Sequence, residues 1–213
     1  MDVDAAEIRV LGSLLEKQRT TPDAYPLSLN ALRAACNQAT NRYPVVAYDE
    51  ATIRAALDRL SRKRWARLAS GPGSRAVKYR HLLDEALGLA GPELALLAVL
   101  MLRGPQTLAE LTQRSERLHR FGSLEEVEAT LAGLAERELV ARLPRRPGQK
   151  EDRYAQLLGG EAGTTAPAEG EEPGAAPEQA DRVGALEARV ERLEETVASL
   201  EEALAARAAD RRA

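Results

Sequence analysis

The chain has 213 residues and a formal net charge of −3, which divides into a net of +4 for residues 1–158 and −7 for residues 159–213. One cysteine excludes an intramolecular disulfide, and no apolar run approaches the ~20 residues that a membrane helix needs. Without a basic and apolar leader, we expect a cytoplasmic protein with a mildly basic folded part and an acidic tail.

Three helices are predicted in the first 64 residues. Each begins at a side chain that can cap it, namely Asp4, Ser28 and Asp49, and Glu7 stands at capping-box spacing from Asp4. Apolar residues recur at three- and four-residue intervals, as the buried side of a helix requires. The three stripes are Ile8, Leu11 and Leu15; Leu29, Leu32 and Cys36; and Ile53, Leu57 and Leu60.

Cys36 shares its predicted helix side with Leu29 and Leu32. A free cysteine behaves as a small buried hydrophobic residue in that setting. A reactive thiol would need a basic neighbour, and the only histidines, His81 and His119, are distant in the sequence. We therefore interpret Cys36 as a structural residue.

A β-hairpin follows the third helix, and the whole arrangement then repeats. Strand segments 65–70 and 76–83 flank a Gly-Pro-Gly turn, and a second hairpin is predicted at 139–158. Between them lie three further helices, predicted at 91–104, 107–115 and 123–138, and the last two are predicted to be capped by Thr107 and Ser123. A constant offset of 75 relates Arg67, Leu68, Gly73 and Tyr79 to Arg142, Leu143, Gly148 and Tyr154.

Three helices followed by a hairpin describe a winged helix. We predict a mainly α fold with small β-hairpins (α+β), built from two tandem winged-helix domains at 1–84 and 90–158. Residues 159–181 are rich in Gly, Ala, Pro and Glu and cannot bury a core, so they are predicted to form a flexible, disordered linker. A coiled-coil helix is predicted at 182–207.

The coiled-coil prediction rests on a seven-residue period. Val at position a with Leu at position d favours a parallel two-stranded coiled coil, and hence a homodimer. The alternative is a single amphipathic helix packed on its own chain. The repeating apolar residues are Val183, Leu186, Val190, Leu193, Val197, Leu200 and Leu204.

No catalytic or metal-binding motif stands out in the sequence. The HExxH, GxSxG, P-loop and CxxC patterns are absent, and two scattered histidines with one cysteine do not make a zinc site. We therefore expect a non-enzymatic protein that needs neither a metal nor a cofactor.

The third helix of such a module normally enters the major groove of DNA. Residues 49–64 carry five basic and three acidic residues, a net of +2, whereas the equivalent residues 123–138 have a net of −4. We therefore hypothesise that the first domain contacts duplex DNA, as in a transcriptional regulator, and that the second mainly contacts protein. A non-catalytic protein-interaction scaffold built from winged helices is the alternative.

Two strings, "LLEKQRTTPDAYPLSLNALRAACNQATNRYPVV" (14–46) and "ALLAVLMLRGPQTLAEL" (95–111), resemble the YceH-like family of uncharacterised bacterial proteins. The resemblance covers roughly residues 5–158. It implies two tandem winged-helix domains and no established activity, and it does not extend to the linker or the heptads.

Polar residues after Cys36 admit two interpretations. They contact the DNA backbone or bases at the helix-turn-helix corner, or they cap helix ends and brace the long loop to Asp49. The candidate DNA-binding residues are Asn37, Gln38, Thr40, Asn41, Arg42, Thr52, Arg54, Arg59, Arg62, Lys63, Ser74, Arg75 and Lys78.

Overall fold

The computed structural model describes residues 3–69, 77–145 and 151–160. Almost all of the predicted linker at 159–181 and the whole coiled-coil helix at 182–207 lie outside the described residues. The same holds for two candidate DNA-binding residues of the first hairpin, Ser74 and Arg75.

Two successive sets of elements follow one order: helix, short strand, helix, helix and a two-stranded hairpin. The first set comprises α1 (Ala5–Thr20), β1 (Leu27–Ser28), α2 (Leu29–Cys36), α3 (Glu50–Arg62), β2 (Ala66–Leu68) and β3 (Lys78–His81). A short helix, α4 (Leu83–Leu87), leads to the second set. That set comprises α5 (Gly91–Arg103), β4 (Gln106–Thr107), α6 (Leu108–Ser115), α7 (Leu124–Glu136), β5 (Val140–Leu143) and β6 (Arg153–Gln156).

Five of the described helices begin at their predicted capping residues. Asp4 Oδ1 accepts a hydrogen bond from the Glu7 N–H at 2.8 Å, and Glu7 Oε2 accepts one from the Asp4 N–H at 3.0 Å. Asp49 Oδ1 accepts from the Thr52 N–H at 2.8 Å, which satisfies a donor that the first turn of α3 leaves open. The other predicted caps, confirmed in the same way, are Ser28, Thr107 and Ser123.

Each hairpin is completed by a third strand that sequence analysis did not predict. β3 lies between β1 and β2 in one antiparallel sheet, and β6 lies between β4 and β5 in another. β1 and β4 have only two residues each, and the second residue, Ser28 or Thr107, also caps the next helix. Two residues are too few to show the alternation by which a strand is recognised.

The predicted constant offset of 75 between the hairpins is wrong for the first strand. Tyr79 pairs with Leu68, whereas Tyr154 pairs with Arg142. The second hairpin therefore has one more residue between its paired positions. Leu68 corresponds to Arg142, at an offset of 74, and not to Leu143 as the sequence match suggests.

The two sets of elements share one hydrophobic core, in which α1 packs against α5. Residues 94–102 of α5 are all buried, because this helix is enclosed on every side. Gly12 of α1 marks the closest approach, since a Cβ atom there would lie 2.9 Å from Leu102 Cγ and 3.0 Å from Met101 Cβ. A side chain at position 12 would separate the two helices.

Gly12→Ala is expected to lower the free energy of unfolding by about 1–3 kcal/mol, because a methyl group must displace Leu102 and Met101. Gly133→Ala in α7 is the matched control. A Cβ there meets nothing within 4 Å, so the same change should raise stability by up to about 1 kcal/mol. Urea unfolding of both variants measures the difference, and a Gly12→Ala variant as stable as wild type contradicts the close packing.

Candidate nucleic-acid interface

The outward side of α3 carries balanced charge. Glu50, Arg54, Asp58 and Arg62 are exposed and recur at every fourth position. Arg54 Nη2 lies 2.7 Å from Glu50 Oε1, and this hydrogen bond is the main reason why the pKa of Arg54 is raised. Arg62 Nε donates to the carbonyl of Asp58 at 3.3 Å. Uncompensated positive charge is therefore confined to the C-terminal end of the helix.

Arg59 and Lys63 are directed toward the start of α1. Arg59 Nη2 lies 2.5 Å from Asp4 Oδ2, and Lys63 Nζ lies 2.7 Å from Glu7 Oε1. The Glu7 side chain is only 2% exposed, so the Glu7 end of its ion pair with Lys63 is buried. The net charge of +2 assigned to residues 49–64 falls to zero when Asp4 and Glu7 are included. Arg59 and Lys63 thus fasten α3 to α1.

Three exposed arginines follow one another from the end of α3 into β2. We call Arg62, Arg64 and Arg67 the basic strip. None of them forms an ion pair with a carboxylate of the described residues. Arg64 has a φ of 60°, in the left-handed conformation that glycine usually adopts after a helix. Its counterpart in the second repeat is Glu138, with a φ of 54° and the opposite charge.

The outward side of the first sheet is also basic. Arg67 on β2 lies directly opposite Arg80 on β3, and Lys78 precedes Arg80 by two residues on the same side. Like charges at directly opposed positions repel, so an anion bound there would relieve the repulsion. Arg80 Nη2 is 2.6 Å from Glu85 Oε1, which offsets part of this charge. Arg67 is not among the predicted DNA contacts, although strand alternation, with Ala66 inward and Arg67 outward, places it on this side.

The two hairpins differ in chemistry at the described strand ends next to their turns. Leu68 is 60% exposed and Val77 is 53% exposed, and both lie on the side of the sheet that carries Tyr79. At the position equivalent to Leu68, Arg142 Nη2 lies 2.5 Å from Asp152 Oδ2. Beside its turn, the first hairpin therefore offers apolar surface to a partner, whereas Arg142 of the second hairpin is paired within the chain.

The polar residues after Cys36 mainly brace their own loop. Asn37 Nδ2 donates to the carbonyl of Tyr48 at 2.8 Å, and the Tyr48 N–H donates to Asn37 Oδ1 at 2.9 Å. Asn41, with a φ of 61°, accepts a hydrogen bond from Arg103 of α5. Of the predicted DNA contacts in this string, Thr40 is exposed to solvent.

Arg42 is the centre of this bracing. Its side chain is fully buried, with Nη2 2.5 Å from Glu16 Oε2 and 2.8 Å from Gln38 Oε1. Its Nε donates to the carbonyl of Ala35 at 3.0 Å. A guanidinium with no exposed surface cannot reach a nucleic acid, so the geometry favours the bracing interpretation for Arg42 and for the Gln38 amide that it holds.

A second buried arginine, Arg9, was not singled out by sequence analysis. Its Nη1 donates to the carbonyl of Cys36 at 2.9 Å, and its Nη2 donates to the carbonyl of Pro44 at 2.6 Å. Burial, and then the charge of Arg42, lower its pKa. The position of Arg9 between Ile8 and Val10 on α1 gave no signal, because its partners are 27 and 35 residues away.

Cys36 is completely buried, and burial raises the pKa of its thiol to about 11. Its Sγ donates weakly to the carbonyl of Arg9 at 3.9 Å. A protonated thiol without solvent access is inert, which supports the structural interpretation of this residue.

Thr52 and Lys78, the remaining described candidates for DNA binding, are both partly buried.

The described residues form a mixed helical and β protein with small antiparallel sheets and a duplicated element order. Within them, no three His, Cys, Asp or Glu side chains are grouped to hold a metal ion. Among the same residues, none of the helices combines the length and apolarity that a bilayer span requires.

The sequence profile of a family described as "Protein of unknown function, DUF480" matches residues 3–149, and the chain belongs to this family. A UPF0502 protein of Citrifermentans bemidjiense is 57% identical over 161 residues, covering 75% of this chain and 74% of the relative. One from Pelobacter propionicus is 52% identical over 206 residues, with 94% of each chain covered. These findings confirm the predicted resemblance to the YceH-like family of uncharacterised bacterial proteins.

Arg42→Met is expected to lower the free energy of unfolding by about 3–5 kcal/mol, because it leaves the Glu16 carboxylate without its buried partner. Arg54→Met, which breaks an exposed pair with Glu50, is the control and should lower it by no more than about 0.5 kcal/mol. Urea unfolding followed by circular dichroism measures both. Equal losses in the two variants would show that Arg42 does not hold the loop.

Proposed function

We propose that the first repeat is a winged-helix module that binds duplex DNA, and that this cytoplasmic protein is a transcriptional regulator without catalytic activity. The element order supports the proposal, since helix, strand, helix, helix and hairpin, with β3 between β1 and β2, is the arrangement of a winged helix. In that arrangement α3 approaches the major groove and the hairpin lies along the backbone.

The basic strip is the observation that carries the proposal. Arg62, Arg64 and Arg67 are available to a partner, because they are exposed and none of them forms an ion pair with a described carboxylate. Contacts of this kind to phosphates supply most of the affinity of non-specific DNA binding. Arg54 and Lys78 extend the contact surface along α3 and β3. Arg59 acts indirectly, by fixing the position of α3 through Asp4.

The second repeat is proposed to contact protein rather than DNA. Glu125, Glu128 and Glu136 are exposed on α7, which occupies the position of α3 in that repeat. An acidic surface repels phosphate at any salt concentration that leaves the charges unscreened.

A parallel coiled coil at 183–204 is proposed to make the protein a homodimer. This proposal rests on the heptad period alone. A monomer in sedimentation equilibrium of the full chain would exclude the dimer.

An Arg62→Ala/Arg67→Ala double variant tests DNA binding directly. Fluorescence anisotropy of a labelled duplex, measured from about 50 to 200 mM salt, should show weaker binding and a salt slope reduced by about 2, since each lost phosphate contact removes about 1. Arg120→Ala removes an exposed arginine of the second repeat and should leave affinity and slope unchanged. Identical binding curves for wild type and the first double variant would refute the proposal.

A protein-interaction scaffold remains the alternative function. The exposed Leu68 and Val77 favour it, together with the balanced charge on the outward side of α3. Docking through apolar side chains depends weakly on salt, whereas phosphate contacts depend on it strongly. The anisotropy titration therefore also separates the two functions, because a scaffold predicts no duplex binding even at low salt.

A further inference from the structure

A cleft of about 430 Å³ opens where the two repeats meet. The first repeat contributes Glu16 and Thr20 of α1 and Asn41 of the braced loop. The second contributes residues of α5, of α6 and of the turn after α6. Three arginines are among these residues: Arg103, Arg114 and Arg117. Neither the family description nor the proposed DNA interface involves this cleft.

The acidic residues of the cleft leave positive charge uncompensated. Glu16 is held by Arg42 through two hydrogen bonds, at 3.1 and 2.5 Å, and forms no ion pair with the three cleft arginines, although its charge acts on Arg103 from a longer distance. Arg114 is paired with Glu110 at 3.2 Å. Neither Arg103 nor Arg117 pairs with a carboxylate in the part of the chain that the structure describes, which leaves two cations against the carboxylate of Glu116.

Arg103 is the most informative of these residues, because its side chain is partly buried. Its guanidinium donates to Asn41 Oδ1, a neutral acceptor, and thereby spans the two repeats. Burial lowers the pKa of Arg103, and the nearby charge of Arg114 lowers it further. A partly desolvated cation beside a second cation is stabilised when an anion enters.

We propose that this cleft binds a small organic anion, with Arg103 and Arg117 holding its carboxylate or phosphate group and Asn41 orienting Arg103. Guanidinium groups suit both oxyanions, since their N–H donors match two oxygens at once. Val99, Leu102 and Leu118 line the same cleft and provide apolar surface for a carbon skeleton. The volume accommodates a metabolite larger than an inorganic ion. Since both repeats form the walls, the bound anion stabilises their contact.

Titration of the full-length protein with two probes tests the site. Citrate and inorganic phosphate are each added at constant ionic strength, with sodium chloride making up the difference, while the melting temperature and the heat of binding are recorded. Saturable binding of citrate supports the organic anion. Saturation by phosphate with none by citrate contradicts the organic ligand, and no saturation by either probe below about 10 mM contradicts the site altogether.

Variants locate the binding within the cleft. Arg117→Gln removes the charge but keeps a polar side chain at an exposed position, so the variant should fold normally and bind citrate about tenfold more weakly. Arg103→Gln should weaken it at least as much. Arg120→Gln removes an exposed arginine that does not line the cleft and serves as the control. If Arg103→Gln does not fold, Arg117→Gln decides the question; equal affinity of Arg117→Gln and wild type overturns the proposal.

Discussion

The buried contact between Arg42 and Glu16 is the constraint on which the first repeat depends. The Arg42 guanidinium donates to the carbonyl of Ala35 near the end of α2, to the side chain of Gln38 in its own loop, and to the carboxylate of Glu16 on α1. Buried charge of this kind is tolerated only when its donors are satisfied, and here each nitrogen has an acceptor. These bonds fix the conformation of the loop between α2 and α3, and thereby the orientation of α3.

The same loop joins the two repeats. The Tyr43 N–H donates to the carbonyl of Leu102 at 2.7 Å and so satisfies one of the carbonyls that the last turn of α5 leaves open. Asn41 accepts from Arg103 one residue further along α5. The loop that positions the proposed DNA-contacting helix therefore also forms a wall of the cleft. A ligand in the cleft and DNA on α3 would act on one connected segment.

Local features of the fold could be predicted from sequence, and distant contacts could not. Asp4, Asp49 and Thr107 cap the helices that follow them because a cap depends on residues three positions away. Arg59 is a predicted DNA contact, but its partner in the structure is Asp4, 55 residues earlier, and helix periodicity gives no sign of a contact at that separation. The polar string after Cys36 was recognised as special, but only its contacts with Glu16, Tyr48 and Arg103 show that much of it is structural.

The two repeats share an element order but differ in how they satisfy surface charge. Arg142 is paired with Asp152 at the second hairpin, whereas the equivalent Leu68 is exposed at the first. Arg64 and Glu138 occupy the same left-handed position with opposite charges. An arginine that is already paired within the chain adds little to the free energy of binding a partner, because the pair must first be broken. The unpaired arginines of the basic strip do not carry this cost. For this reason the difference between the repeats, rather than their common fold, bears on function.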